Sequence, residues 1–131
     1  MSSVRDAENR KIAVYIRFGN ENQDVHSFQL RKMMLYVEEH PNWELVKIFT
    51  DTGSAHSLSR QCGFSELIQG VRNSEYSIIA IPSSSTLGRN ILVHHGLLSK
   101  LEKAGATVEY ADGTQASEIK RFAAMMKSVC E

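Results

Sequence analysis

The chain has 131 residues, which is the usual size of one domain and enough for a single buried core. Fifteen Lys and Arg balance fifteen Asp and Glu, so bulk charge does not supply the long-range attraction typical of proteins dedicated to holding the DNA backbone. The longest apolar stretches, such as Tyr76 to Pro82, are far shorter than the roughly 20 residues of a membrane helix. We therefore expect a cytoplasmic protein without a membrane partner.

The pattern of apolar residues predicts four strands that alternate with four helices. Met1 to Arg10 is polar and without period, which indicates a loose leader before one domain over residues 11–131. In the first helix, for example, Leu30, Met33, Met34 and Val37 form one apolar stripe. The predicted strands are 11–18, 43–50, 77–82 and 107–111. The predicted helices are 25–40, 63–72, 90–103 and 117–131, with Gly105 ending the third.

This alternation favours an α/β fold, with a parallel sheet of about four strands and helices on both faces. The last helix is amphipathic and must dock on its own sheet or on a second copy. Its apolar stripe consists of Ile119, Phe122, Ala123, Met126 and Cys130.

Candidate ligand-binding residues follow the predicted strands, because ligands of parallel sheets gather at the carboxyl ends of the strands. Arg17, Arg60 and Arg89 fall in or near these positions, and converging guanidinium groups would bind phosphate bidentately. On composition alone, three separate surface arginines are the favoured alternative. Ser83 to Thr86 could add donors before the next helix, although the chain has no nucleotide P-loop.

Metal and cofactor chemistry is not indicated by the sequence. Cys62 and Cys130 are far apart and outside any metal-type cluster, so we expect reduced thiols rather than a disulfide or a zinc site. His94 and His95 diverge by about 100° on their predicted helix and cannot easily share a metal. We expect His94 to be a partly buried, hydrogen-bonded histidine, and we expect no cofactor.

Four segments in order resemble the N-terminal catalytic domain of serine site-specific recombinases, the resolvase and invertase group. Residues 15–23, YIRFGNENQ, are similar to the opening Tyr-x-Arg-Val-Ser-Thr-x-x-Gln, and Gln29 matches a glutamine of the first helix. Residues 49–54, FTDTGS, resemble the second strand with its Asp-x-Gly-x-Ser loop. Residues 59–64, SRQCGF, and 85–90, STLGRN, resemble the Asp-Arg-Pro-Gly-Phe/Leu and Asp-Arg-Leu-Ser/Gly-Arg-Asn segments.

The resemblance implies a DNA-cleaving chemistry for which this chain lacks the attacking serine hydroxyl. In that family a serine hydroxyl attacks a DNA phosphodiester, and arginines hold the phosphate without a metal. Here the nucleophile position is Gly19, and the family's Asp-Arg pair is Ser85-Thr86. Arg17, Arg60 and Arg89 remain. The resemblance therefore implies phosphate binding by these arginines, with Gln29, Ser85 and Thr86 in support, and no catalysis.

The length of the chain adds a second departure from the resemblance. Family members continue through a long dimer helix into a separate DNA-binding domain, which we expect to be absent here because the chain stops at Glu131. We expect weak DNA contact at most. Homodimers, or mixed dimers with an active recombinase, would use Ile119, Phe122 and Met126.

Two rival interpretations remain open. One is an active recombinase that uses another serine, for which Ser54, Ser57 and Ser83 are the candidates. The other is a doubly wound regulator of the response-regulator type, which is disfavoured because that type needs an acidic pocket with a lysine at the strand ends.

Overall fold

Four parallel strands form the centre of the protein. The computed structural model describes residues 9–19, 22–52, 62–83, 86 and 91–130. The strands are β1 (Arg10–Phe18), β2 (Trp43–Thr52), β3 (Ile78–Ile81) and β4 (Thr107–Tyr110). The helices are α1 (Gln23–Glu38), α2 (Cys62–Arg72), α3 (Ile91–Ala104) and α4 (Ala116–Cys130). The strand order is β2-β1-β3-β4 and each pairing is parallel, which confirms the predicted fold class.

Helices cover the two faces of the sheet unequally. Side chains alternate along a strand, so Ile12, Val14 and Ile16 of β1 point to one face, where Met33 and Val37 of α1 pack on them. The odd-numbered residues 13 and 15 point to the other face, in a larger cluster with α2, α3 and α4. We call these the α1 face and the three-helix face. Both faces of β1 are therefore dry, which is typical of a central parallel strand.

Most element boundaries lie within two residues of their predicted positions, and the differences have local causes. Arg10 pairs with Trp43, so the first strand begins one residue inside the predicted leader. The first helix begins two residues earlier than predicted, because Asn22 caps it by accepting the Val25 N–H at 3.0 Å. As predicted, α3 ends just before Gly105, which has a φ of +113°.

The second strand is two residues longer than predicted. Asp51 and Thr52 were expected to open a loop, but they continue β2 and pair with Arg17 and Phe18. The composition of small polar residues that indicates a loop is overridden here by pairing with β1. This extension brings the Asp51 side chain into the buried interior.

The last helix docks on its own chain. Ile119 and Ala123 are buried, and Ile119 joins the core of the three-helix face. Lys120 and Glu102 form an ion pair at 3.1 Å between α4 and α3. The prediction that Ile119 contributes to a dimer face is therefore wrong, because that side chain packs inside its own domain. Phe122 and Met126 of the same predicted face remain 47% and 42% exposed.

Candidate functional site

The carboxyl ends of three strands meet at one edge of the sheet, as they must when the strands are parallel. Arg17 near the end of β1 is in register with Asp51 near the end of β2, and Ser83 and Thr86 follow β3. We call this group, together with Gly19, the strand-end edge. The sequence predicted that this edge would collect the polar residues that could bind a ligand.

Arg17 and Thr86, which are 69 residues apart in sequence, are brought together at the strand-end edge. The Arg17 Nε donates a hydrogen bond to the Thr86 carbonyl oxygen at 3.3 Å, and Thr86 is buried. By the alternation along β1, Arg17 lies on the same side as Tyr15, toward the three-helix face. This bond uses one of the five N–H donors of the guanidinium. It orients a group whose planar fork suits a phosphate.

Asp51 holds the first turn of α2 against the sheet. Its Oδ1 accepts the Gly63 N–H at 2.8 Å, and its Oδ2 accepts both the Phe64 N–H at 2.8 Å and the Tyr15 hydroxyl at 2.7 Å. The first N–H groups of a helix have no partner within the helix, and their partial positive charge favours a carboxylate. Asp51 is only 9% exposed. It therefore acts as a structural anchor, a role that sequence reasoning missed.

The Tyr15 hydroxyl is held in its neutral, donating form. Burial, followed by the hydrogen bond and the negative charge of Asp51, raises the pKa of Tyr15 far above its usual value of 10.0, while the Arg17 charge opposes the shift. The ring packs edge-to-face on Phe64, with centroids 5.8 Å apart. Tyr15 thus connects β1, β2 and α2 directly beneath Arg17.

Gly63 allows this close approach of α2 to β2. A Cβ atom at this position would lie 2.6 Å from the Thr50 carbonyl oxygen and 2.7 Å from the Asp51 Oδ1. These distances are shorter than van der Waals contact, so only glycine fits without displacing the helix. The bonds from Asp51 and the absence of a side chain at Gly63 together allow α2 to pack closely on β2.

Of the remaining predicted site residues, those that the structure describes lie in different parts of the fold. Gly19 lies one residue beyond β1 and is partly buried. Gln29 lies on α1, the helix that packs on Ile12, Val14 and Ile16 of β1. The Gln29 Oε1 is buried with no hydrogen-bond partner in the described part of the chain. Arg60, Ser85 and Arg89 lie outside the described residues.

A cleft of about 610 Å³ adjoins Gln29 between α1 and the ends of β3 and β4. Phe28, Tyr36, Pro82 and Ser83 are among its lining residues. Ser83 thus lines a cleft on the α1 face as well as following β3 at the strand-end edge. No sequence pattern predicts this cleft, because its walls come from three distant segments.

His94 is a structural histidine. It is 1% exposed, and its Nε2 lies 2.8 Å from the Tyr110 hydroxyl oxygen. Burial raises the pKa of Tyr110, so the hydroxyl keeps its proton. The interpretation of His94 as a hydrogen-bonded interior residue is confirmed, although it is more fully buried than predicted.

A family assignment follows from the sequence once this arrangement is known. Residues 12–131 match the family described as "Resolvase, N terminal domain". The chain belongs to the resolvase family. The match covers all four strands apart from the first two residues of β1, and it confirms the resemblance identified from the motifs. Among curated proteins, no sequence matches this resolvase domain significantly.

Solved structures with the same fold are serine recombinase domains. The N-terminal catalytic domain of TP901-1 integrase is 16% identical, with a TM-score of 0.70 over 92% of this chain and 93% of that one. A resolvase family site-specific recombinase from Streptococcus pneumoniae is also 16% identical, with a TM-score of 0.70 over 93% and 86%. The C-terminal catalytic domain of ISC1926 TnpA, an IS607-like serine recombinase, is 13% identical, with a TM-score of 0.66 over 91% and 82%. At such identities these similarities establish the fold of the resolvase domain.

Clusters of metal-ligating side chains and helices able to span a membrane are absent from the described part of the resolvase domain. Within the described ranges, no group of three His, Cys, Asp or Glu side chains could hold a metal ion. The side chains of Cys62 and Cys130 are not among those that the structure describes, so the expectation of reduced thiols stays a prediction. None of the described helices is long and apolar enough to cross a membrane.

Proposed function

We propose that this resolvase domain is catalytically silent and that it holds a DNA phosphate at the strand-end edge without cutting the strand. The observation that carries this proposal is the residue that follows β1. The family resemblance places the attacking serine at this position, and here it is Gly19. A glycine has no side-chain oxygen to form a phosphoseryl bond, so the covalent path is removed rather than slowed.

Arg17 supports the binding half of the proposal. Its hydrogen bond to the Thr86 carbonyl fixes a permanently charged side chain among the ends of three strands. Arg60 and Arg89, which match the family's arginines by sequence, would add two further cations. Ser85 and Thr86 replace the family's Asp-Arg pair, and Thr86 contributes its backbone carbonyl to orient Arg17.

The competing interpretation is cleavage by a different serine. Ser83 lines the cleft on the α1 face, and its carbonyl oxygen accepts the Thr86 N–H at 3.1 Å, beside the contact between Thr86 and Arg17. Ser54 and Ser57 lie outside the described residues, so they remain candidates on sequence alone. A substitute nucleophile would have to approach the phosphorus in line at about 3 Å.

A cleavage assay tests the catalytic half. Supercoiled plasmid is incubated with the protein, and the products are run on denaturing gels that retain protein-linked DNA. We expect neither nicks nor a covalent adduct, with an active serine recombinase as the positive control. A trapped adduct would refute silence, and peptide mapping of the linked serine would identify the substitute nucleophile.

A binding assay tests the phosphate half separately. Arg17→Gln removes the oriented guanidinium, whereas Arg31→Gln removes an exposed arginine from α1 on the other face. Because each phosphate contact releases counterions, losing one should weaken duplex binding several-fold near 100 mM salt. We expect this loss for Arg17→Gln alone. Equal affinities of the two variants would contradict the proposed phosphate site.

A second role, modulation of an active recombinase through mixed dimers, is favoured by the outer side of α4. Phe122, Met125 and Met126 are 47%, 56% and 42% exposed on a helix whose inner side is already docked. Phenylalanine and methionine are enriched at protein interfaces relative to the rest of the surface. Light scattering after size exclusion, alone and mixed with a full-length relative, measures the species formed. A strict monomer that forms no mixed species would exclude this role.

A further inference from the structure

A groove of about 470 Å³ runs between α2 and α3 on the three-helix face. Its polar and charged lining consists of Ser65, Gln69, Arg72, Lys100 and Lys103. Ile68 and Ala104 form part of its floor, and Phe64, at 0% exposure, lies beneath it. On α2 the lining extends from Phe64 near the first residues of the helix to Arg72 at its end, whereas on α3 it consists of residues near the C-terminal end of the helix.

The three cations of this groove have no negative partner within it. The lining residues include no Asp or Glu, and in the described part of the chain Arg72, Lys100 and Lys103 form no ion pair. In a chain of zero net charge, such a group is a local excess of positive charge.

Helix geometry explains how the acidic residues are kept out of the groove. At about 100° per residue, Glu102 projects roughly 160° away from Lys100 around α3. It forms its ion pair with Lys120 of α4 on the other flank of the helix. On α2, Glu66 is likewise roughly 120° from Arg72. Next to Glu66, the Leu67 carbonyl accepts the Tyr76 hydroxyl at 2.8 Å. On each helix, Glu102 or Glu66 therefore projects in a different direction from the cation with which it was compared.

Helix-dipole compensation does not account for the whole charge. Arg72 and Lys103 lie in the last turns of α2 and α3, where cations balance the helix dipole. Two helix ends contribute about one negative charge in total, since each carries roughly half of one. Three positive side chains exceed this amount by about two charges. Lys100 also lies a full turn before the end of α3.

We propose that this groove binds the sugar-phosphate backbone of duplex DNA, as a second contact beyond the strand-end edge. Exposed lysines and an arginine neutralise phosphates, and the Ser65 hydroxyl and Gln69 amide add neutral donors of the kind that contact phosphate oxygens. The contact carries no base readout, so it is independent of DNA sequence. This inference rests on the proposed function and extends it with a second phosphate contact between α2 and α3.

The composition of the groove favours DNA over an acidic protein. Protein interfaces depend on buried aromatic or aliphatic anchors, and lysine is depleted in them. Here Phe64 is inaccessible and Ile68 is only partly exposed, so the groove offers no such anchor. A phosphate backbone requires only cations and hydrogen-bond donors, which the groove provides.

The test measures how salt affects binding of a fluorescein-labelled, mixed-sequence duplex to the full chain. Anisotropy titrations between about 50 and 200 mM salt give the slope of log K against log salt. The variant Lys100→Gln/Lys103→Gln removes two exposed cations of the groove. The matched control Arg31→Gln/Lys32→Gln removes the same charge from α1 on the other face.

We expect the groove variant to reduce the magnitude of the slope by about 1.8, which corresponds to two phosphate contacts at 0.9 each. Its affinity near 100 mM salt should fall by roughly tenfold or more, while the control keeps the wild-type slope. Equal slopes for the two double variants, or no duplex binding by the wild type at the lowest salt, would overturn the proposal. Tighter binding of labelled polyglutamate than of the duplex would also overturn it, in favour of an acidic protein.

Arg17→Gln, measured in the same titrations, separates this inference from the proposed function. Loss of affinity for Arg17→Gln with no change for the lysine pair leaves the strand-end site intact and refutes the groove. The opposite pattern refutes the strand-end site and leaves the groove intact. Circular dichroism of each variant verifies that the fold is retained.

Discussion

Replacing Asp51 with asparagine should destabilise the protein far more than the near-identity of the two side chains suggests. The best placement of the amide puts its oxygen at the Oδ2 position, where it keeps the bonds from Tyr15 and Phe64. The amide NH₂ then faces the Gly63 N–H, so two donors confront each other. Turning the amide over would restore the Gly63 bond and let the Tyr15 hydroxyl accept from the NH₂, but the NH₂ would then confront the Phe64 N–H. Asp51→Asn therefore leaves at least one buried donor without an acceptor.

The cost of this substitution follows from the three bonds. Hydrogen bonds to a charged group contribute about 1.5–3 kcal/mol, against about 0.5–1.5 for neutral pairs, so two weakened bonds lose about 2 kcal/mol. The unsatisfied Gly63 N–H adds about 1–3 kcal/mol. Removing a buried charge returns part of its desolvation cost, so the net loss is about 2–3 kcal/mol. For a domain of this size, the melting temperature should fall by roughly 10 °C.

Thermal and urea unfolding measure this loss, and two variants calibrate it. Tyr15→Phe removes one of the three donors and should cost about 1 kcal/mol. The double variant should cost less than the sum, because both changes act on the same bond. Asp24→Asn, an exposed carboxylate in the first turn of α1, should cost at most about 0.5 kcal/mol. If Asp51→Asn melts like Asp24→Asn, the anchoring role of the carboxylate is wrong.

Two further predictions concern the stability of the fold. Gly63→Ala should cost about 2–3 kcal/mol because its Cβ would clash with the Thr50 carbonyl; Gly96→Ala on α3 meets nothing within 4 Å and should gain up to about 1 kcal/mol. Urea unfolding compares the two, and a stable Gly63→Ala would contradict the close contact. The pKa of all four tyrosines is raised, so above about pH 10 the unfolded chain loses protons that the folded chain retains. Stability should therefore be intact below pH 10 and fall above it, by up to about 1.4 kcal/mol per pH unit for each of the three buried tyrosines. Urea unfolding and tyrosinate absorbance across that range would show it, and a flat profile would contradict it.

The alternation of strands and helices was predictable because each element has a strong local signal. Apolar residues run without a break through the central strands, since those are covered on both faces, and the helices carry regular stripes. Gly105 ends α3 for a reason that sequence shows directly, since glycine tolerates its positive φ. The edge at which Arg17 and Thr86 meet also follows from the parallel topology.

The anchor at Asp51 was not predictable, because its partners are distant in sequence. Asp51 stands among small polar residues that indicate a loop, and only pairing with β1 extends the strand that far. The placement of Ile119 failed for a related reason. An apolar stripe shows that a helix docks but not which part of the stripe its own chain covers. The separation of charges around α3 became visible only when its neighbours α2 and α4 were known.

The bonds between Asp51 and the start of α2 also bear on how far the loop after β2 could be varied in this protein. They fix the point where the chain leaves the sheet and the point where it enters the helix, so the connection between Thr52 and Cys62 can change without moving either. Lengthening a closed loop is inexpensive, at about 0.6 kcal/mol for each doubling. A segment transplanted from a relative between these two points should therefore import new binding chemistry onto an unaltered scaffold.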